Sequence, residues 1–241
     1  MARKIVSKTG KKKSWYKIVA PKVFNDAEVG ETQAASPDDM IGRTISTSLM
    51  SLNRSIKKQN VTVKLKVREV KDNTGITDVH SYAMNPSGVK RLVKRRRDKI
   101  DDSFVCKTKD GKLVRVKPMI LTRSNASNPT LTAMRHVARY AFASRIMKVT
   151  YGQFIDEVLN DKIVKDVKRV VGYIYPVRMI SIRSFKLEEN PKTKVTRLTT
   201  VDKKYYDHAA EKLKEKRDSM KPAASATASE SATEPAPAVS E

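Results

Sequence analysis

A single cysteine, Cys106, stands in 241 residues, so no disulfide can form within the chain. Histidine is nearly as scarce. His80, His136 and His208 lie far apart and lack the spacing of a Cys/His zinc site. The eight glycines form neither a Walker nor a dinucleotide-binding loop, and there is no G-x-S-x-G. No apolar run approaches the roughly 20 residues of a membrane span. The basic start, MARKIVSKTGKKKSWYK, leads into no apolar signal core. Aromatic residues make up only 6%, so the core has to be aliphatic. The expectation is a cytoplasmic protein that is not an enzyme, with no metal, no cofactor, no small-molecule substrate and no membrane partner.

Acidic residues are also in short supply, 26 against 50 basic ones, for a net charge of +24. Charge of that size opposes compaction and attracts polyanions, nucleic acid first among them. It is unevenly spread. Residues 1–17 hold seven basic residues and no acid, which reads as a disordered arm that orders on a polyanion. In GVKRLVKRRRDKIDD (88–102), seven of the ten residues from Lys90 to Lys99 are basic. Residues 103–148 hold ten basic residues against one acid, Asp110, so most of these cations are expected to find no acid partner within the molecule. The end reverses the pattern. PAASATASESATEPAPAVSE (222–241) is Ala, Ser, Pro and Glu, too poor in apolar residues to offset the entropy of folding.

The boundaries read as a basic arm over 1–14, one core over 15–200, a charged helix over 201–221 and a disordered acidic tail over 222–241. WYKIVAPKVF (15–24) opens the core with Trp15 and Tyr16 as its first large anchors. Residues 38–52 suit a strand. VTVKLKVREV (61–70) alternates Val61, Val63, Leu65 and Val67 with polar residues, the period of a half-buried strand. A turn at Asp72-Asn73-Thr74-Gly75 returns it as ITDVHSYAM (76–84). Ser87 opens a helix through Ile100 with Val89, Leu92, Val93 and Ile100 on one stripe. FVCKT and LVRVKPMIL flank Asp110-Gly111, a hairpin signal.

Asn128-Pro129 starts a long helix with Arg135, His136 and Arg139 facing away from the core. Thr150 to Gln153 fits a capping box for a second helix. Residues 162–174 make a third, ended by Pro176. Residues 177–187 return to strand, and 207–220 form a weakly anchored last helix. The class is α+β: an antiparallel sheet or small barrel with helices on one side.

Catalytic constellations are absent. Cys106 reads as a buried small hydrophobe. Asp101 and Asp102 read as capping or local charge balance after the arginine run, and Glu188-Glu189 as a solvated turn. The candidate nucleic-acid contacts are Arg3, Lys4, Lys8, Lys11, Lys12 and Lys13 in the arm, and Lys90, Arg91, Lys94, Arg95, Arg96 and Arg97 in the run. Arg115 and Lys117 on the hairpin join them, with Arg123, Arg135 and Arg139.

Six stretches in fixed order carry a resemblance: WYKIVAPKVF (15–24), IGRT (41–44), LKVREV (65–70) with HSYAM (80–84), RLVKRRRDKID (91–101), FVCKTKDGKLVRV (104–116) and IYPVR (174–178). Together they resemble the small-subunit ribosomal protein family called S-one-e, or S-three-A-e, in its archaeal form. The resemblance covers roughly residues 11–190. It implies a β-barrel-like core with packed helices, no catalysis and no cofactor. It also implies a place on the platform of the small subunit, near the mRNA exit site. The partners implied are small-subunit rRNA, neighbouring platform proteins and mRNA near that exit. The rival reading is a free RNA-binding chaperone or translational regulator. It is weakened by the lack of a helix-turn-helix, zinc-finger or RRM signature.

Overall fold

The structure is a computed structural model and describes residues 12–189, 194–196 and 198–226. Strand β1 spans Ser14–Val19 and β2 Glu28–Ala34, and the two pair antiparallel. Tyr16 and Ile18 point inward, but Trp15 is 60% exposed and anchors nothing, because alternation along β1 sends it to the opposite face. Of residues 38–52, only β3 (Thr44–Ser48) is strand. Ser48 then caps the short helix α1 (Leu49–Asn53), accepting from the Met50 amide.

Strand β4 (Val61–Lys71) buries Val61, Val63, Leu65 and Val67 and exposes Lys64 and Arg68, the alternation read from the sequence. It pairs antiparallel with β5 (Thr74–Met84). The turn needs only Asp72 (φ 47°) and Asn73 (φ 59°), both left-handed. Two successive left-handed residues match the twist of the flanking strands, and Asp and Asn tolerate that backbone better than most.

Strand β5 is central. One edge meets β4, and the other meets β1 in parallel at its start and β9 (Val177–Glu188) antiparallel at its end. Strand β8 (Leu113–Thr122) lies along the far edge of β9, with β6 (Lys99–Asp101) and β7 (Phe104–Lys107) on its own outer side. The nine strands form a mostly antiparallel sheet that stays open: among the described residues β2, β3, β6 and β7 each pair with one neighbour. The barrel-like closure implied by the resemblance is therefore replaced by an open sheet.

The helix expected from Ser87 to Ile100 stops early. Helix α2 spans Pro86–Leu92, residues 93–98 form a loop, and Lys99 already belongs to β6. Continuing the helix would stack Lys94, Arg95, Arg96 and Arg97 one turn above Lys90 and Arg91, and like charges at that spacing repel. The hairpin of β7 and β8 forms as expected, with Gly111 at φ 80° in its turn. Phe104, Val105 and Cys106 are all buried, so β7 does not alternate. Thr196 lies along its free edge, exchanging hydrogen bonds with both backbone groups of Val105.

Helices α3 (Asn128–Lys148), α4 (Tyr151–Leu159) and α5 (Lys162–Ile174) pack on the sheet. The capping box of Thr150 and Gln153 is present. Phe154 sets its ring edge against Phe185, centroids 5.2 Å apart, and Phe185 stacks on Tyr82 at 5.3 Å, which ties α4 to β9 and β5.

The last helix, α6, runs Thr200–Ala226, beginning before Asp207 and passing the Lys221/Pro222 boundary. It packs on α3 and α5 and is firmly held. Fully buried Asp202 accepts from the Thr199 amide (2.9 Å), from the Thr199 hydroxyl and from His136 Nδ1 (2.5 Å). Burial pushes the Asp202 carboxyl up, but the bonds from Thr199 and His136 outweigh it and hold it below its ordinary value. The arm over 1–11 and the tail beyond Ala226 lie outside the described residues.

Two outcomes follow from this packing. Val116 is fully buried on β8 and Lys117 is exposed. Val116→Asp should unfold the domain, since an unpaired buried carboxylate costs roughly several kcal/mol. Lys117→Ser should stay within about 0.5 kcal/mol, and thermal melts measure both. At Asp202 the folded carboxyl titrates below the unfolded one. Its stabilisation is therefore complete above the ordinary carboxylate range and disappears as pH falls through the lower folded value. Asp202→Asn should remove that pH dependence, cost about 1–3 kcal/mol, and speed tryptic cleavage at Lys203 and Lys204.

Candidate nucleic-acid interface

The arginine run is a loop pinned at both ends. At its start the Val93 amide donates to the Val89 carbonyl. At its finish Asp98 is fixed three ways. Its amide donates to Thr122 Oγ1 (2.9 Å), its carbonyl accepts from the Thr122 amide (3.0 Å), and its carboxylate accepts from the Ala126 amide (2.7 Å). The only acid among the ten residues from Lys90 to Lys99 is thus used to clamp backbone. Lys94, Arg95 and Arg96 are exposed, Arg97 is half-buried, and Arg96 takes a left-handed turn (φ 57°). None of the four lies within ion-pair distance of an acid among the described residues.

Strand pairing brings further cations to this end of the sheet. Thr122 pairs with Val177, and the Arg123 amide donates to the Pro176 carbonyl. Exposed Arg123 and Arg178 therefore stand beside the loop, and Lys168 reaches the Arg178 carbonyl from α5. Arg178 and Lys168 were not singled out in the sequence. No local signal marks them, because only the pairing of β8 with β9 carries them to the loop. Lys90 and Arg91 occupy the last turn of α2, where the helix dipole favours cations.

The remaining candidates divide. Lys12 and Lys13 are exposed just before β1, and Lys117 is exposed on β8. Arg3, Lys4, Lys8 and Lys11 lie outside the described residues. Arg115 is turned inward in its charge balance, its Nε 2.7 Å from Glu188. Arg139 makes a two-pronged pair with Asp102, both bonds 2.8 Å. Arg135 is half-buried, with a buried Nε that has no hydrogen-bond partner among the described residues. The expectation that Arg135, His136 and Arg139 face away from the core is thus corrected: His136 docks on α6 and Arg139 on Asp102.

Two expected acid roles change too. Asp102 holds Arg139 instead of balancing the run. The Glu188-Glu189 step is no free turn, because Glu188 takes Arg115 and Glu189 takes Lys66 at 2.6 Å. The hydrogen bonds from Arg115 and Lys66 pull the two carboxyls below their ordinary values.

The same residues offer little to catalysis. Burial pushes the Cys106 thiol up to about 12, so it stays protonated and inert at neutral pH. Among the described residues no group of three metal-ligating side chains converges, and no helix is long and apolar enough to cross a membrane.

A cation cluster around a pinned loop is the feature to set against known proteins, and residues 2–191 match the profile of the Ribosomal S3Ae family. The chain belongs to that family. It is a family of ribosomal proteins, not of enzymes. Among its relatives is the small ribosomal subunit protein eS1 of Nanoarchaeum equitans, 35% identical over 182 residues, or 76% of this chain and 92% of that protein. The eS1 of Methanothrix thermoacetophila is 34% identical over 79% of this chain and 92% of its own length. That of Halorubrum lacusprofundi is 30% identical over 79% and 89%. The matched region contains the arginine loop, both hairpins and β9, so the basic end of the sheet lies within the family's shared part.

The loop gives a direct expectation. Replacing Arg95, Arg96 and Arg97 by Ala should weaken RNA binding and flatten its salt dependence, each lost phosphate contact lowering the log–log slope by about 0.7–0.9. The melting temperature should hold, because Arg95 and Arg96 are exposed and Arg97 is half-buried with no ion pair among the described residues. Filter binding across a salt series, with a melt as control, measures both.

Proposed function

We propose that this chain is a structural constituent of the small ribosomal subunit. Its basic end grips small-subunit rRNA, and it works in the cytoplasm as part of the ribosome. Family membership and the eS1 name of its relatives support the ribosomal role. The observation that carries the RNA contact is the pinned loop, with Lys94, Arg95 and Arg96 exposed, Arg97 half-buried, and no acid within ion-pair distance of them among the described residues. The finer placement is also part of the reading: the platform near the mRNA exit site, beside neighbouring platform proteins, with mRNA passing close by.

The chemistry suits structured RNA. An A-form helix hides its base edges in a deep, narrow major groove, so a protein on its surface meets phosphates and 2′-hydroxyls. Arg forks fit phosphate oxygens, and Lys supplies mobile point charge. A loop fixed by Asp98 presents these groups already ordered, which lowers the entropy lost on binding. Arg115 and Arg139, committed to carboxylates inside the fold, hold the fold itself.

Sedimentation tests the reading. The protein should co-migrate in equal amount with small subunits and stay bound when salt strips loosely held factors. A free chaperone or regulator would instead remain at the top of the gradient, or leave the subunit at modest salt.

A further inference from the structure

A cavity of about 380 Å³ lies between α2, the β4–β5–β9 part of the sheet and the start of α5. Its walls are apolar, from Val61, Met84, Val164 and Ile180. Polar groups converge on it from several elements: Lys58, Asn60, Tyr82, Arg91, Asp161 and Ser181. Arg91 and Leu92 belong to the last turn of α2, which runs straight into the arginine loop. The cavity therefore opens beside the surface proposed to hold RNA phosphate.

Several of these polar groups are uncommitted. The Tyr82 ring stacks on Phe185, and Tyr82 lines the cavity. Burial, aided by Asp161, raises the Tyr82 hydroxyl above its ordinary value, so it remains a donor. Arg91 is exposed and has no acid within ion-pair distance among the described residues. Ser181 makes only a long contact, 3.9 Å, to Met84 Sδ. Lys58 and Asp161 pair across the cavity at 3.2 Å, with Lys58 also donating to the Leu159 carbonyl. A site with apolar walls, a few placed polar groups and this volume has the makings of a pocket for a flat heteroaromatic ligand.

Resting on the RNA reading above, we infer that this cavity receives one unstacked nucleobase of the bound RNA, while Arg91 and the arginine loop hold the flanking phosphates. The base lies between the aliphatic walls. Its edge, which carries both donors and acceptors, meets Tyr82, Asn60, Ser181 and Asp161. This gives the protein a way to tell a bulged or looped RNA from a continuous helix, where no base is free to enter.

The test compares a short RNA duplex with the same duplex carrying one bulged adenosine, replaced by 2-aminopurine for a fluorescence readout. Wild-type protein should prefer the bulged RNA by roughly fivefold or more, the order expected from burying the apolar faces of one base, and the 2-aminopurine emission should change on binding. Ser181→Phe, which fills the cavity, should erase both effects and leave the salt slope intact. Tyr82→Phe removes only the hydroxyl and should cut the preference by roughly threefold, which covers the case in which Ser181→Phe fails to fold. The triple alanine variant of the loop should weaken both RNAs alike. Equal binding of the two RNAs by wild-type protein, or a preference that survives Ser181→Phe, would overturn the pocket and leave the RNA reading standing. Failure to bind either RNA would overturn both.

Discussion

The clamp at Asp98 is the constraint on which the basic end of this protein depends. Seven cations surround that carboxylate between Lys90 and Lys99, yet it does not neutralise them. It binds the Ala126 amide, while its backbone joins Thr122 in the sheet. One acid thereby orders the loop, the end of β8 and the approach to α3 together. Had it paired with an arginine, the loop would be better balanced and worse positioned. The local excess of positive charge is kept, and it is kept in one shape. That combination raises the free energy of the isolated protein and lowers that of a complex with a polyanion.

Local rules were legible where the physics is local. The alternation in β4, the capping box at Thr150 and the stop at Pro176 needed only neighbours within a few positions, and each sits where the sequence pointed. The helix over the arginine run failed for a reason also visible in the residues, the crowding of like charge from Lys90 to Arg97. The apolar stripe of Val89, Leu92, Val93 and Ile100 favours a helix there, and the repulsion along the run outweighs it. Strand β2 gave no clear signal: EVGETQA (28–34) has one bulky apolar residue and is strand because β1 pairs with it.

The candidate interface was legible as composition and opaque as geometry. The exposed lysines and arginines of the loop were found by counting charge. Arg115 and Arg139 were counted with them, because their carboxylate partners lie 73 and 37 residues away. Nothing within a window around Arg139 announces Asp102, and nothing around His136 announces Asp202. Arg178 was missed by the converse failure. It is one cation in a moderately charged strand, and only the β8–β9 register sets it beside Arg123. Charge counting finds which segments are basic. Pairing through the fold decides which of their side chains remain free.

The position of β9 has a consequence for how such a chain comes into being. It is the last strand among the described residues and lies between β5 and β8 in the sheet, joining the half built from β1 to β5 to the half built from β6 to β8. Until residues 177–188 leave the ribosome that makes them, both halves carry an open strand edge and Phe185 is missing from the core. Open edges invite pairing with other chains, and slow, long-range strand pairing prolongs the exposure. A nascent chain this basic spends that interval among abundant RNA. Late closure of the sheet thus makes early protection, by a chaperone or by rapid capture on a maturing particle, a condition of the protein's own synthesis.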